Sequence, residues 1–247
     1  MTESTLILHR GSRKVERSEV ESCEHVEGTS TWFPTPHKTV LETVEGSLTN
    51  AGFSIRKSQF ALSADNAQFF ATLDLASPIV EGVSLAVGVR NSVDKVFPIG
   101  MTAGSRVFVC DNLSFNSEIY VSKRHTRFGM NRFDEGISKS IVALAQFQQV
   151  EAKRIEHYQA CELTEQQAAS CLLHAYEQGI LSSTLLPQAI AEWRKPSFSA
   201  FEPRTAWSLF NAGTFAMKAR ESNPTKFTLL TMKLYGLIDA ETKYSAI

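Results

Sequence analysis

The 247-residue chain is 43% hydrophobic and 21% charged, which supports a sizeable folded core and excludes general disorder. With 25 Lys plus Arg against 26 Asp plus Glu the net charge is -1, so any attraction to a polyanion must come from the placement of cations, not their number. No apolar run reaches the roughly 20 residues of a membrane span, and the opening MTESTLILHRGSRKVERSE carries no signal-like apolar core.

Residues 1–35 read as an N-terminal arm or small β element, locally basic at Arg10, Arg13, Lys14 and Arg17. Residues 36–247 read as a single α+β domain. From Pro36, PHKTVLETVEGSLTNAGF places Val40, Val44 and Leu48 on one helical face, with Gly52 as a permissive stop. Two strands follow around a polar turn at Ala64 to Asn66, with Phe69, Ala71 and Leu73 on one face and Phe70 and Thr72 on the other. Val83, Leu85, Val87 and Val89 alternate in the next strand. Val107 and Val109 alternate in a later one, where Phe108 and Cys110 line the opposite face, and Pro98 is kept out of the hydrogen-bonded centre. The short polar side chains of Asp111 and Asn112 suit a hairpin turn.

The period then changes to that of helices. Ile137, Ile141 and Leu144 define a stripe that continues less cleanly to Ile155 and Tyr158, in a helix starting near Asp134, and the polar break at Gln148 and Glu151 leaves open that its far half emerges from the core. Thr164 and Gln167 form a capping box, Gly179 ends that helix, and Pro187 kinks or splits the next. Trp207 and Asn211 share a face beside the stripe of Ala206, Phe210, Gly213 and Met217. A final helix runs from about Thr225 to Tyr235. The expected architecture is α+β: a twisted, mainly antiparallel or mixed sheet from residues 53–121, packed by a helical half over 134–238.

Four segments in this order, LAVGVRNSVDKVFPIG, SRVFVCDNLSF, RHTRF and TAWSLFNAGTFAMK, resemble the DUF932 family of phage- and plasmid-associated proteins over roughly Val83 to Lys218. Asp111 stands where the family has a small residue, and Trp32-Phe33 is at most a remnant of its WHGLG pattern. The resemblance implies a mobile-element setting, with recombination, annealing or protection as candidate roles. It assigns no reaction. It marks Arg90, Asn91, Asn112, Trp207 and Asn211 as structural or ligand-contacting positions.

The functional reading centres on Lys123, Arg124, His125, Arg127 and Arg132, with no acid between them and with Phe128 among them. Arginine forks engage phosphate oxygens, and an exposed phenyl ring stacks on a base. The plainer alternative is a basic turn neutralised by Glu118, Asp134 and Glu135. His125 has the titration range of a general base, and Cys110 is a conceivable nucleophile for it, but a buried structural thiol is the simpler reading of a strand cysteine. The histidines have no metal-site spacing, and no Walker loop or dinucleotide fingerprint occurs, so no metal or cofactor is expected. Pro187 and late positive charge weaken a helix-turn-helix reading around Gly179. Cys23, Cys110, Cys161 and Cys171 lack paired spacing and read as free thiols in a reducing, cytoplasmic setting. The expectation is a cytoplasmic nucleic-acid-binding protein, with single-stranded DNA among its targets and a homo-oligomer as a way to enlarge the footprint. The alternative is a non-enzymatic factor that holds a host or phage protein. An enzyme is the less favoured class.

Overall fold

The computed structural model describes residues 12–107, 112–218 and 224–245. Its sheet has six strands in sequential order, every pairing antiparallel: β1 (Arg13–Val15), β2 (Ile55–Leu62), β3 (Gln68–Val80), β4 (Val83–Ser92), β5 (Ile99–Val107) and β6 (Asn112–Lys123). The α+β reading therefore holds, with the mixed alternative resolved to antiparallel. Part of the N-terminal segment is a β element, since β1 pairs with β2, while residues 1–11 lie outside the described ones. So do Phe108, Val109, Cys110 and Asp111 of the expected strand and turn; Asn112 is described only through its pairing with Val107.

Period-2 patterning sets the faces. Phe69, Ala71, Leu73, Leu85, Val87, Val89, Ile99, Met101, Ile119 and Val121 point into one contiguous core with the helices. Phe70 turns the other way and packs with Ala61 and Phe97. Short helix α1 (Arg17–Glu21) and α2 (His37–Asn50) precede β2, and Gly52 takes φ +85° just after α2 ends. The helical half comprises α3 (Gly129–Ala160), α4 (Glu165–Glu177), α5 (Leu186–Arg194), α6 (Ala206–Lys218) and α7 (Pro224–Thr242). Helix α3 lies against β6, β3 and β5, and α6 and α7 against β6. At Gly136 an added Cβ would come within 2.6 Å of Val121, which is how closely α3 approaches the sheet.

Three expectations about the helices change. Helix α3 starts at Gly129, a turn before Asp134. Its far half stays inside, with Glu151, Ile155 and Tyr158 all buried. Pro187 neither kinks nor splits α5; it sits in the first turn, where a missing N–H costs nothing. The Thr164–Gln167 capping box and the positive φ of Gly179 are as expected.

Glu151 falls on the buried stripe of α3, so it must be satisfied inside. It accepts from Arg154 Nη1 at 2.9 Å, from the Tyr235 hydroxyl of α7 and from Ser105 of β5 at 3.4 Å. Asp239 accepts from Tyr158 at 2.6 Å and lies 3.4 Å from Arg154 Nε. Burial pushes the Glu151 carboxyl up against the pull of these partners. The result ties α3 to α7 by paired charge and hydrogen bonds, and β5 to both through the Ser105 hydroxyl.

Candidate nucleic-acid interface

The β2–β3, β4–β5 and β6–α3 connections all fall at one end of the sheet, because Leu62 pairs with Phe69, Gln68 with Ser92 and Ile99 with Lys123. The cationic run is the last of these connections. Its chain reversal is tight: Thr126 N donates to Arg124 O, and Gly129 N to Thr126 O, at 2.9 and 2.8 Å. A Cβ at Gly129 would sit 2.3 Å from Arg124 O, so only glycine fits without moving the turn.

This geometry puts Arg124, Arg127 and Arg132 in solvent, with Phe128 57% exposed, while Lys123 is half-buried. The Arg127 guanidinium lies 5.8 Å from the Phe128 ring centre. Among the described residues no carboxylate forms an ion pair with any of the four cations. Asp134 and Glu135 line a cleft of about 640 Å³ between α2 and α3, together with Glu42 and Asn131. The side chain of Glu118 lies outside the described residues. The acidic cleft bounds the cationic surface on one flank, since phosphates are repelled there.

His125 differs from its neighbours. It is 6% exposed, buried beneath the turn, and therefore belongs to the support of the surface instead of the surface itself. Its Nδ1 accepts from Thr35 N at 3.3 Å, so the neutral ring carries its proton on Nε2, and its carbonyl accepts from Phe33 N at 3.0 Å. Asn91, fully buried, donates through Nδ2 to Thr35 O at 2.8 Å and to His37 Nδ1 at 2.9 Å. His37 then bonds Asn66 O through Nε2 at 2.9 Å, which requires the proton on that nitrogen. A strap of residues 29–37 is thus clamped between the turn and β4. Burial lowers the pKa of both histidines, and for His125 the neighbouring His37 adds to the effect.

The clamp is incompletely satisfied. Trp32 Nε1, Asn91 Oδ1 and His125 Nε2 are buried without a hydrogen-bond partner among the described residues. Each such atom costs about 1–3 kcal/mol. Trp32 meets the His125 ring edge-on at 6.4 Å, and the Lys95 ammonium lies 4.8 Å from the centre of the Trp32 ring.

The remaining positions divide. Arg90 Nη2 donates to the Tyr120 hydroxyl at 2.7 Å, and its guanidinium lies 5.5 Å from the Phe97 ring and 5.9 Å from that of Tyr120. The side chain of Asn112 lies outside the described residues. Trp207 stacks on Phe210 at 5.7 Å, and Asn211 donates to Trp207 O within α6, so both serve the helical core and are not brought to the cationic turn. The Cys110 half of a Cys110–His125 centre is outside the described residues. Among those described, no three His, Cys, Asp or Glu side chains are grouped to hold a metal ion, and no helix is long and apolar enough to cross a membrane. Thr35, His37 and Lys95 were not singled out from sequence; only the Trp32-Phe33 pair carried a hint of the strap. Compared with protein-family models, curated proteins and solved structures, the chain matches none.

Proposed function

We propose that the protein binds nucleic acid through the β6–α3 turn. The carrying observation is that Arg124, Arg127 and Arg132 are exposed and have no ion-pair partner among the described residues, beside the exposed ring of Phe128. Such forks suit phosphate, and the energy comes from releasing counterions condensed on the polyanion. With a net charge of -1, binding depends on this local surface, and a homo-oligomer would multiply it. The mobile-element setting, with recombination, annealing or protection as the role, rests on the DUF932 resemblance alone, and the cytoplasmic one on cysteines that lack paired spacing. DNA titrated at low salt, followed by fluorescence anisotropy, tests the reading. Binding that weakens when Lys123, Arg124 and Arg127 are neutralised together supports it; no binding, or binding unchanged in that variant, rejects it.

A further inference from the structure

Of the large apolar side chains exposed among the described residues, Val142, Leu173, Tyr176 and Leu229 are spread over α3, α4 and α7, whereas the other four gather at one end of the sheet. Phe33, Val96 and Phe128 lie in connections at the cationic end of the sheet, and Tyr120 of β6 is tied to that end through Arg90, whose strand partner is Gly100 near the start of β5. Phe33 is 39% exposed and Tyr120 45% exposed. Phe33 is held beside the turn by its N–H to His125 O, so its ring and that of Phe128 are both positioned by the same short segment. Two further cations stand among these rings: Lys95 over Trp32, and Arg90 between Phe97 and Tyr120. Asp94, next to Lys95, is turned onto Gln68 Nε2, Ser92 Oγ and Val96 N and does not pair with it.

Aromatic rings in solvent beside cations match an unpaired strand better than a duplex. Duplex bases are stacked on one another and show phosphates and groove edges, whereas a single strand offers base faces that rings can cover. We propose that this end of the sheet takes a single-stranded segment of nucleic acid, its phosphates on the arginines of the turn and its bases on Phe33 and Phe128, with Lys95 and the Arg90–Tyr120 pair lengthening the footprint. This rests on the nucleic-acid reading above and adds the strand preference and four contact residues. Lys95 is held at φ +69°, a conformation that favours glycine and costs a lysine backbone energy.

The test is anisotropy at fixed salt with three probes of equal length: a single strand, its blunt duplex and an abasic strand with the same phosphates. The wild-type chain is expected to bind the single strand at least about tenfold more tightly than the other two. Phe33→Ala with Phe128→Ala, both surface changes, should lower single-strand affinity by about 5- to 150-fold per lost stack while leaving abasic binding unchanged. Lys95→Gly, which relieves the backbone, should keep or raise the unfolding midpoint and still weaken single-strand binding. Equal binding of all three probes, or single-strand affinity indifferent to the phenylalanines, would overturn this inference and leave the phosphate-binding reading standing. Failure of every probe at low salt would remove both.

Discussion

Two regions of this molecule handle charge in opposite ways. Between α3 and α7, Glu151, Arg154 and Asp239 are drawn inside and matched: Glu151 has three donors, and Arg154 faces two carboxylates. At the end of the sheet, Arg124, Arg127 and Arg132 stand outside without a carboxylate partner among the described residues, above a clamp in which Trp32, Asn91 and His125 each leave one buried polar atom unmatched among them. Charge that holds a fold together finds its counter-charge within the chain, because a buried unpaired ion is prohibitive. Charge left without one, on a turn that tolerates only glycine at its exit, is available to something else.

If the contrast is sound, substitutions should separate stability from binding. The largest effect on stability belongs to Glu151→Ala, which strands part of the Arg154 charge inside and should cost about 3–5 kcal/mol in urea unfolding; the folded fraction should bind DNA as the wild type does. A loss under about 1 kcal/mol would mean that the network is not the staple described. Gly129→Ala comes next. The clash with Arg124 O forces the turn to move, for about 1–3 kcal/mol, and here stability and DNA affinity should fall together.

The clamp gives a smaller effect that depends on pH. His37 and His125 have folded pKa values below the ordinary 6.5. Well above that value neither state holds the extra proton. As pH falls through it, the unfolded chain takes up protons that the folded chain refuses, so stability is lost on acidification, by at most about 1.4 kcal/mol per pH unit per histidine. His125→Asn keeps an acceptor for Thr35 N–H and does not titrate, so it should flatten this acid dependence. An unchanged slope in that variant would show that His125 is not a buried neutral group. The smallest effect on stability is that of neutralising Arg124, Arg127 and Arg132, within about 0.5 kcal/mol for each.

The same contrast marks what the sequence could reveal. Alternation in β3 announced its faces correctly, since Phe69, Ala71 and Leu73 reach the main core while Phe70 packs on the other side. The start of α3 was missed although Phe133 continues the stripe one turn before Ile137, because Phe128 makes no side-chain cap and no capping residue marks the first turn. Glu151 looked like an exit from the core because its partners Ser105 and Tyr235 lie 46 and 84 residues away. The cationic turn was legible, being one short segment. The burial of His125 was not, because Thr35 lies 90 residues away, and Lys95 reaches the site only through a loop that no local pattern marks.

The salt dependence of DNA binding by the wild type and by the Arg124, Arg127 and Arg132 neutralised protein addresses the unpaired arginines most directly. For a single strand, the slope of log affinity against log salt should become shallower by about 2 when the three phosphate contacts are removed, with the unfolding midpoint preserved. An identical slope in the two proteins would contradict the account, because it would mean that those three guanidinium groups meet no phosphate.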